Sequence, residues 1–195
     1  MARTKSENFE DIRAEILDAA AAVFAKNGFR NTNIIDIGAA CNASKSRMYH
    51  YFPSKEAMLS EMLSEHVSRL VHIASDVVSA PTDARTRLRS YFYAHLKYYY
   101  EGRDRHTVLI EDVYHLPDDV RAEVKAGEQK LVGYLCVLLR EINPQKFNER
   151  QMATSHAMLI YGMLNWTYTW YQPKGRLNLE SLADQATEMC LHGIA

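Results

Sequence analysis

Apolar residues recur with helical spacing along the whole chain. From Ile12 onward they stand three or four positions apart, and no strand-like alternation of useful length appears in the sequence. Residues that end helices divide the first part of the chain into three short helices: Asn27-Gly28, Asn42 and Phe52-Pro53. The pattern predicts an all-α protein that begins with three short helices and continues with longer ones.

Capping residues indicate where the helices begin. Thr32 or Asn33 is placed to cap the second helix, Ser44 the third, and Ser54 a fourth that extends to about Val78. The remaining helices are predicted over residues 85–100, 107–114, 118–142, 148–171 and 179–191. We expect the 148–171 helix to end at the turn formed by Gln172-Pro173-Lys174-Gly175.

The third predicted helix places apolar and polar side chains on different faces. Met48 and Phe52 are four positions apart and are expected to point into a small core. The opposite face and its flanks carry hydrogen-bonding side chains: Lys45, Ser46, Arg47, Tyr49 and His50. Such a helix fits the major groove of DNA, where residues near its N-terminus reach base edges. The alternative is a solvated polar face.

Charge and hydroxyl groups around this helix also favour DNA. Residues 26–55 hold five basic side chains against one acidic one, a balance of +4, whereas the whole chain has a net charge of −1. A basic patch on a nearly neutral protein indicates a polyanion partner for one module. Hydroxyls and an amine at helix starts or flanks are suited to phosphate oxygens: Thr32, Ser44, Tyr49 and Lys55.

The composition argues against several classes of protein. Three widely spaced cysteines without a CxxC pair indicate neither a disulfide framework nor a zinc site, and they fit a cytoplasmic protein. No secretory signal and no apolar run of the roughly 18 residues that a membrane span needs is visible. Phosphate-binding glycine loops and catalytic signatures are also missing from the sequence, so we expect no enzyme, no cofactor and no metal.

The residues of this region resemble the N-terminal signature of TetR-family transcriptional regulators. The resemblance covers residues 12–59 and rests on one set of matching positions: Thr32, Ile37-Gly38, Ser44-Lys45-Ser46, Met48-Tyr49, Tyr51-Phe52 and Lys55-Glu56. Three positions depart from the usual pattern. Gly38 replaces alanine, Asn42 replaces glycine and keeps the left-handed turn, and Ser46 replaces the commonest residue, glycine.

The resemblance implies a homodimer that binds a near-palindromic DNA operator. Residues 1–54 would form the helix-turn-helix DNA-binding domain, and residues 55–195 a helical domain for ligand binding and dimerisation. The family's DNA contacts carry over to Thr32, Ser44, Lys45, Ser46, Tyr49, His50, Tyr51 and Lys55. Arg47 and Asn33 join this set because of their positions in the present sequence.

Two stripes of apolar residues predict the dimer interface. The 148–171 helix is apolar around most of its circumference, so it is expected to be buried on two sides. With the 118–142 helix it would supply the interface residues Leu131, Leu135, Leu138, Met152, His156, Leu159 and Met163. The alternative is a monomer with one deep core.

Aromatic and histidine side chains suggest a ligand cavity. The candidates are Tyr91, Phe92, His95, Tyr98, Tyr99, Tyr114, His115, Tyr161 and Trp166. The alternative is that these residues are simple core. Glu111 and His115 could share a metal ion, but they lack a third ligand at a suitable spacing, so a solvated pair is favoured.

The C-terminal segment GMLNWTYTWYQPKGRLNLESLAD is similar to TetR-type regulators that respond to acyl-coenzyme A thioesters. We therefore expect a repressor that a small molecule, an acyl-coenzyme A or another hydrophobic or aromatic compound, releases from its operator. Two alternatives stay open: a DNA-binding dimer without a ligand, and an activator.

Overall fold

The computed structural model describes residues 5–172 and 175–192, and these residues form helices joined by turns. In chain order the elements are α1 (Lys5–Asn27), α2 (Ile34–Ala40), α3 (Lys45–Tyr51), α4 (Lys55–Val78), α5 (Ala84–Glu101), α6 (Arg103–Asp112), the 3-10 turn Val113–His115, α7 (Asp118–Ile142), α8 (Arg150–Asn165), α9 (Thr167–Trp170) and α10 (Leu179–His192). The predicted all-α fold is confirmed. No helix within the described ranges is long and apolar enough to cross a membrane.

The chain divides into two compact units. The first, which we call the headpiece unit, comprises residues 1–66 and 104–124. The second, which we call the C-terminal unit, comprises residues 67–103 and 125–195. Each unit is described separately below.

The turns of the headpiece unit form where the sequence predicts them. Gly28 ends α1 with a φ of 77°, and Asn42 ends the α2 region with a φ of 53°, so both adopt the left-handed conformation. Asn33 caps α2 through a capping box with Asp36, and Ser44 caps α3. These caps fix the short turn between α2 and α3.

Gly38 is explained by the close approach of the backbone in this turn. A Cβ atom on residue 38 would lie 2.8 Å from the carbonyl oxygen of Ala43 and 3.3 Å from Cγ of Met48. Real Cβ atoms do not approach backbone oxygens this closely, so a side chain at residue 38 would force the turn to open.

The C-terminal unit has a core built from α5, α7, α8 and α10. The core includes the buried side chains of Leu88, Phe92, Leu135, Leu164 and Ala183. Among the helix pairs of the C-terminal unit, α5 and α10 make the most extensive contacts.

One predicted helix is interrupted. The sequence predicts a continuous helix over 148–171, but α8 ends at Asn165 and the four-residue α9 follows. The hydroxyl of Thr167 donates a hydrogen bond of 2.6 Å to the carbonyl of Leu164, and it thereby competes with the backbone ladder. Of the predicted turn after this helix, Pro173 and Lys174 lie outside the described residues.

Candidate nucleic-acid interface

Helix α3 presents a polar face and buries an apolar one. Met48 and Phe52 are fully buried in the headpiece unit, as their spacing predicts. The outward side chains are exposed: Lys45, Ser46, Arg47, Tyr49 and His50. The apolar face thus anchors a helix that holds its hydrogen-bonding groups toward solvent.

The start of α3 is rigidly capped. The Ser44 hydroxyl accepts a hydrogen bond of 3.2 Å from the backbone N–H of Arg47. The side-chain oxygen of Asn33 accepts from Ile35 and Asp36 at the start of α2, at 2.9 and 3.1 Å. Ser44 and Asn33, both predicted to contact DNA, therefore cap the N-termini of α3 and α2, and both side chains remain exposed.

Aromatic packing from α1 positions the end of α3, a role that sequence analysis missed. The Phe9 ring lies 4.7 Å from the Tyr51 ring and 6.0 Å, edge-on, from the His50 ring. Tyr51 is consequently half-buried against α1, while His50 stays exposed. Phe9 precedes the apolar stripe that begins at Ile12, so the helical pattern gave no signal for its role.

Thr32 is not displayed on the surface. Its side chain is 2% exposed, and its hydroxyl donates a 3.0 Å hydrogen bond to the carbonyl of Gly28. The hydroxyl closes the turn after α1, and a contact between it and phosphate stays a prediction.

Lys55 is tied to the same turn. Its ammonium donates hydrogen bonds to the carbonyls of Phe29, at 2.8 Å, and Thr32, at 2.7 Å. It also lies 4.4 Å from the centre of the Phe29 ring, within the range of a cation–π contact. The ammonium predicted to meet phosphate thus joins the start of α4 to the α1–α2 turn.

Residues of α6 and the 3-10 turn belong to the headpiece unit, which sequence analysis did not foresee. The Asp112 carboxylate accepts a 3.2 Å hydrogen bond from the backbone N–H of Phe29. Arg105 contacts carboxylates on two helices, Asp18 at 2.9 Å and Glu65 at 3.4 Å. These contacts fasten α6 to α1, to α4 and to the α1–α2 turn.

Two predicted ligand-binding residues lie in this unit as well. The His115 ring stacks on Phe29 with the ring centres 5.3 Å apart, and Tyr114 is 73% exposed. Both therefore belong to a different compact unit from the other cavity candidates. The described residues contain no cluster of three metal-ligating side chains.

The C-terminal unit gathers most of the remaining cavity candidates. Tyr91, Phe92, His95, Tyr99 and Tyr161 are buried, and Tyr98 is half-buried. Trp166 is 63% exposed. A narrow cleft of about 10 Å³ opens beside Tyr99, bordered by Tyr100, Arg103 and Tyr171.

The candidate dimer-interface residues differ in exposure between α7 and α8. Leu131, Leu135 and Leu138 are buried in the core of their own unit, so the structure does not place them on a surface that a partner could cover. On α8, Leu159 is 75% exposed and Met152 is also exposed. His156 and Met163, on the same helix, are half-buried.

Two family models match this chain. Residues 16–62 match the family described as bacterial regulatory proteins, tetR family, and residues 81–194 match the tetracyclin repressor-like C-terminal domain. The chain is 38% identical to a TetR-family transcriptional regulator from Bordetella parapertussis, with a TM-score of 0.90 over 94% of this chain and 96% of that one.

Two further proteins are similar over nearly their full length. The transcriptional repressor KstR2 of Rhodococcus jostii is 26% identical over 188 residues, which is 94% of this chain and 91% of that protein. AibR, solved in complex with isovaleryl coenzyme A and operator DNA, is 25% identical with a TM-score of 0.78, over 91% of this chain and 96% of that one. The present chain belongs to the TetR family, and it is a DNA-binding transcriptional regulator rather than an enzyme.

Proposed function

We propose that the protein is a ligand-responsive transcriptional repressor that binds a near-palindromic operator as a homodimer. The observation that carries this proposal is the exposed, hydrogen-bonding face of α3, which two fully buried side chains anchor. Each subunit would insert this helix into a major groove, in half-sites about one helical turn (roughly 34 Å) apart.

The exposed residues of α3 divide into two roles. Ser46 and His50 stand at the centre of the outward face and would read base edges. Lys45, Arg47 and Tyr49 flank them and would contact phosphates, together with the capped helix start at Ser44. Since Thr32 and Lys55 use their side chains within the α1–α2 turn, their proposed role is to position α2 and α3.

The exposed face of α8 supports the homodimer. It carries Met152, Met158 and Leu159, which are between 41% and 75% exposed, on the side of the helix opposite the buried Ala153, Ala157 and Leu164. Gly162 stands on the same exposed face, and a Cβ atom there would meet nothing within 4 Å. Glycine inside a helix costs stability, and the close approach of a second copy of α8 would offset that cost.

The buried tyrosines and histidine of the C-terminal unit support an effector site. AibR was solved with an acyl-coenzyme A, and we propose a ligand of that class, or another hydrophobic or aromatic compound, for the present chain. In chain order, α6 follows the helix that carries Tyr91, His95 and Tyr99, and its Arg105 and Asp112 bind α1, α4 and the α1–α2 turn. An effector would lower operator affinity by no more than the ratio of its own affinities for the free and the operator-bound form of the protein.

The test combines DNA binding and ligand response. In an electrophoretic shift with the promoter beside its own gene, we expect the protein to bind as a dimer and to be released by isovaleryl coenzyme A or another member of an acyl-coenzyme A panel. The same compound should raise the melting temperature. Binding that no compound in the panel weakens would favour the ligand-independent alternative, and increased transcription from the bound promoter would indicate an activator. Since the proposed partner is operator DNA, we place the protein in the cytoplasm.

A further inference from the structure

Two side chains of α1 reach the C-terminal end of α3. Phe9 and Arg13 are four positions apart, so they lie on the same face of α1. The Phe9 ring contacts the rings of His50 and Tyr51. One turn further along α1, the guanidinium of Arg13 lies over the Phe52 ring, 4.5 Å from its centre. The two α1 residues therefore meet three consecutive residues at the end of α3.

Arg13 and the buried face of α3 hold the helix backbone in place. Both Nη atoms of Arg13 donate to the carboxylate of Glu61, so α1 and α4 are joined beside the Phe52 ring. Phe52 and Met48 are fully buried, and the N–H of Phe52 donates to the Met48 carbonyl at 3.0 Å. Together with the capped N-terminus, these contacts fix the backbone of α3 at both ends.

Phe9 acts on side chains that leave this fixed helix. The exposed His50 ring has two aromatic neighbours, both edge-on: the Phe9 ring at 6.0 Å and the Tyr51 ring at 5.1 Å. The Tyr51 ring also packs on the Phe9 ring at 4.7 Å, with an angle of 32° between the planes. Edge-on and tilted ring pairs attract one another beyond the apolar area that they bury. The three rings thus form a cluster that restricts the directions open to the His50 imidazole.

The direction of His50 matters because the imidazole stands on the outward face of α3. A hydrogen bond to a base edge needs a donor or acceptor at a particular position in the major groove. A freely rotating imidazole could meet several bases and would lose rotational freedom on binding, whereas a restrained one is presented to a single base pair. A residue that orients His50 can therefore set base preference without touching DNA itself.

We infer that Phe9 is a positioning residue for base recognition, because its ring sets the direction in which His50 meets the major groove. This inference rests on the proposed function, in which His50 reads a base edge, and it adds a specificity determinant that lies outside α3. Loss of the Phe9 ring should change base preference while the other contacts keep α3 in place. The change should be confined to the base pair that His50 reads.

Selection by the full chain from a library of random DNA duplexes tests the inference, because it reports the preference at every base pair of the site. Phe9→Leu keeps an apolar side chain without the ring, and it should lower the preference at the His50 base pair by about threefold to tenfold. Phe9→Tyr keeps the ring and should keep the preference. His50→Ala identifies the base pair, and adding Phe9→Leu to it should cause no further loss there.

Arg13→Met is the matched control. It also removes an α1 side chain from the end of α3, but it leaves the contact between Phe9 and His50 in place. This variant should lower the urea midpoint and keep the base preference of the unmodified chain. A measurement on the unmodified chain does not depend on any variant: nuclear Overhauser contacts should connect the ring protons of Phe9 and His50.

Four results would overturn the inference. They are an unchanged preference in Phe9→Leu, a further loss when Phe9→Leu is added to His50→Ala, the same change of preference in Arg13→Met, and no Overhauser contact between the two rings. If the unmodified chain selects no sequence, the proposed function fails as well. If it selects a site that His50→Ala relaxes and Phe9→Leu does not, the proposed function stands and this inference alone fails.

Discussion

Replacing Lys55 by methionine decides whether its ammonium serves the fold or the DNA. The sequence pattern assigns the ammonium to phosphate, whereas the structure binds it to the carbonyls of Phe29 and Thr32. Lys55→Met keeps the aliphatic stem and removes the charge and the donors. The two interpretations differ in what they predict for protein stability.

The size of the expected effect follows from the contacts. A hydrogen bond from a charged group contributes about 1.5–3 kcal/mol, and a partly exposed cation–π contact about 0.5–1 kcal/mol. Three hydrogen bonds, the one to the Arg30 carbonyl long at 3.5 Å, and one ring contact are lost, but water compensates in part because Lys55 is only half-buried. We expect the free energy of unfolding to fall by about 2–3 kcal/mol.

Urea denaturation and the salt dependence of operator binding provide the assay. Arg47→Ala is the matched control, because Arg47 is exposed and its guanidinium has no bonded partner in the part of the chain that the structure describes. The control should leave stability unchanged and reduce the salt slope by about 0.9, the value for one lost phosphate contact. If Lys55→Met behaved like this control, the structural role of Lys55 would be refuted.

Four further predictions test other parts of the structure. His50→Ala should relax preference at one base pair, whereas Tyr49→Phe should weaken all DNA sequences alike; equal losses for His50→Ala on operator and random DNA would contradict the base-reading role. Gly38→Ala should lower the free energy of unfolding by about 1–2 kcal/mol, because backbone strain exceeds the gain in helix propensity; an unchanged urea midpoint would contradict it. Asp112→Ala should cost about 1–3 kcal/mol by leaving the buried N–H of Phe29 without an acceptor, and Asp112→Asn should cost less; equal losses would show that the charge is what matters. Gly162→Ala should weaken dimerisation in sedimentation equilibrium, whereas a solvent-exposed α8 would leave the dimer intact and gain about 0.5–1 kcal/mol of stability.

Local chemistry made much of the fold predictable. Caps and breakers act on their immediate neighbours, so Asn33, Ser44 and Pro53 placed the bounds of α2 and α3 within a residue. The division of α3 into a buried and an exposed face followed from four-residue spacing, because Met48 and Phe52 repeat on one side of the helix.

Contacts between distant segments were not predictable in this way. Phe29 and Asp112 are 83 positions apart, and Asp18 and Arg105 are 87 apart, so periodicity within one helix carries no record of them. Helical spacing also cannot distinguish a side chain buried in its own core from one buried by a partner. Leu135 and Leu159 show the two outcomes, since Leu135 is fully buried within the unit and Leu159 is exposed.

Gly38 and Asn42 meet at the same turn. Asn42 in the left-handed conformation directs the chain so that the N–H of Ala43 donates to the carbonyl of Gly38 at 2.8 Å. The same turn brings the Ala43 carbonyl oxygen to where a Cβ of residue 38 would lie. A Cβ atom at residue 38 would require this turn to shift, and glycine avoids that shift. Gly38 therefore allows the tight turn from which α3 extends, and the position of the DNA-reading face depends on both residues.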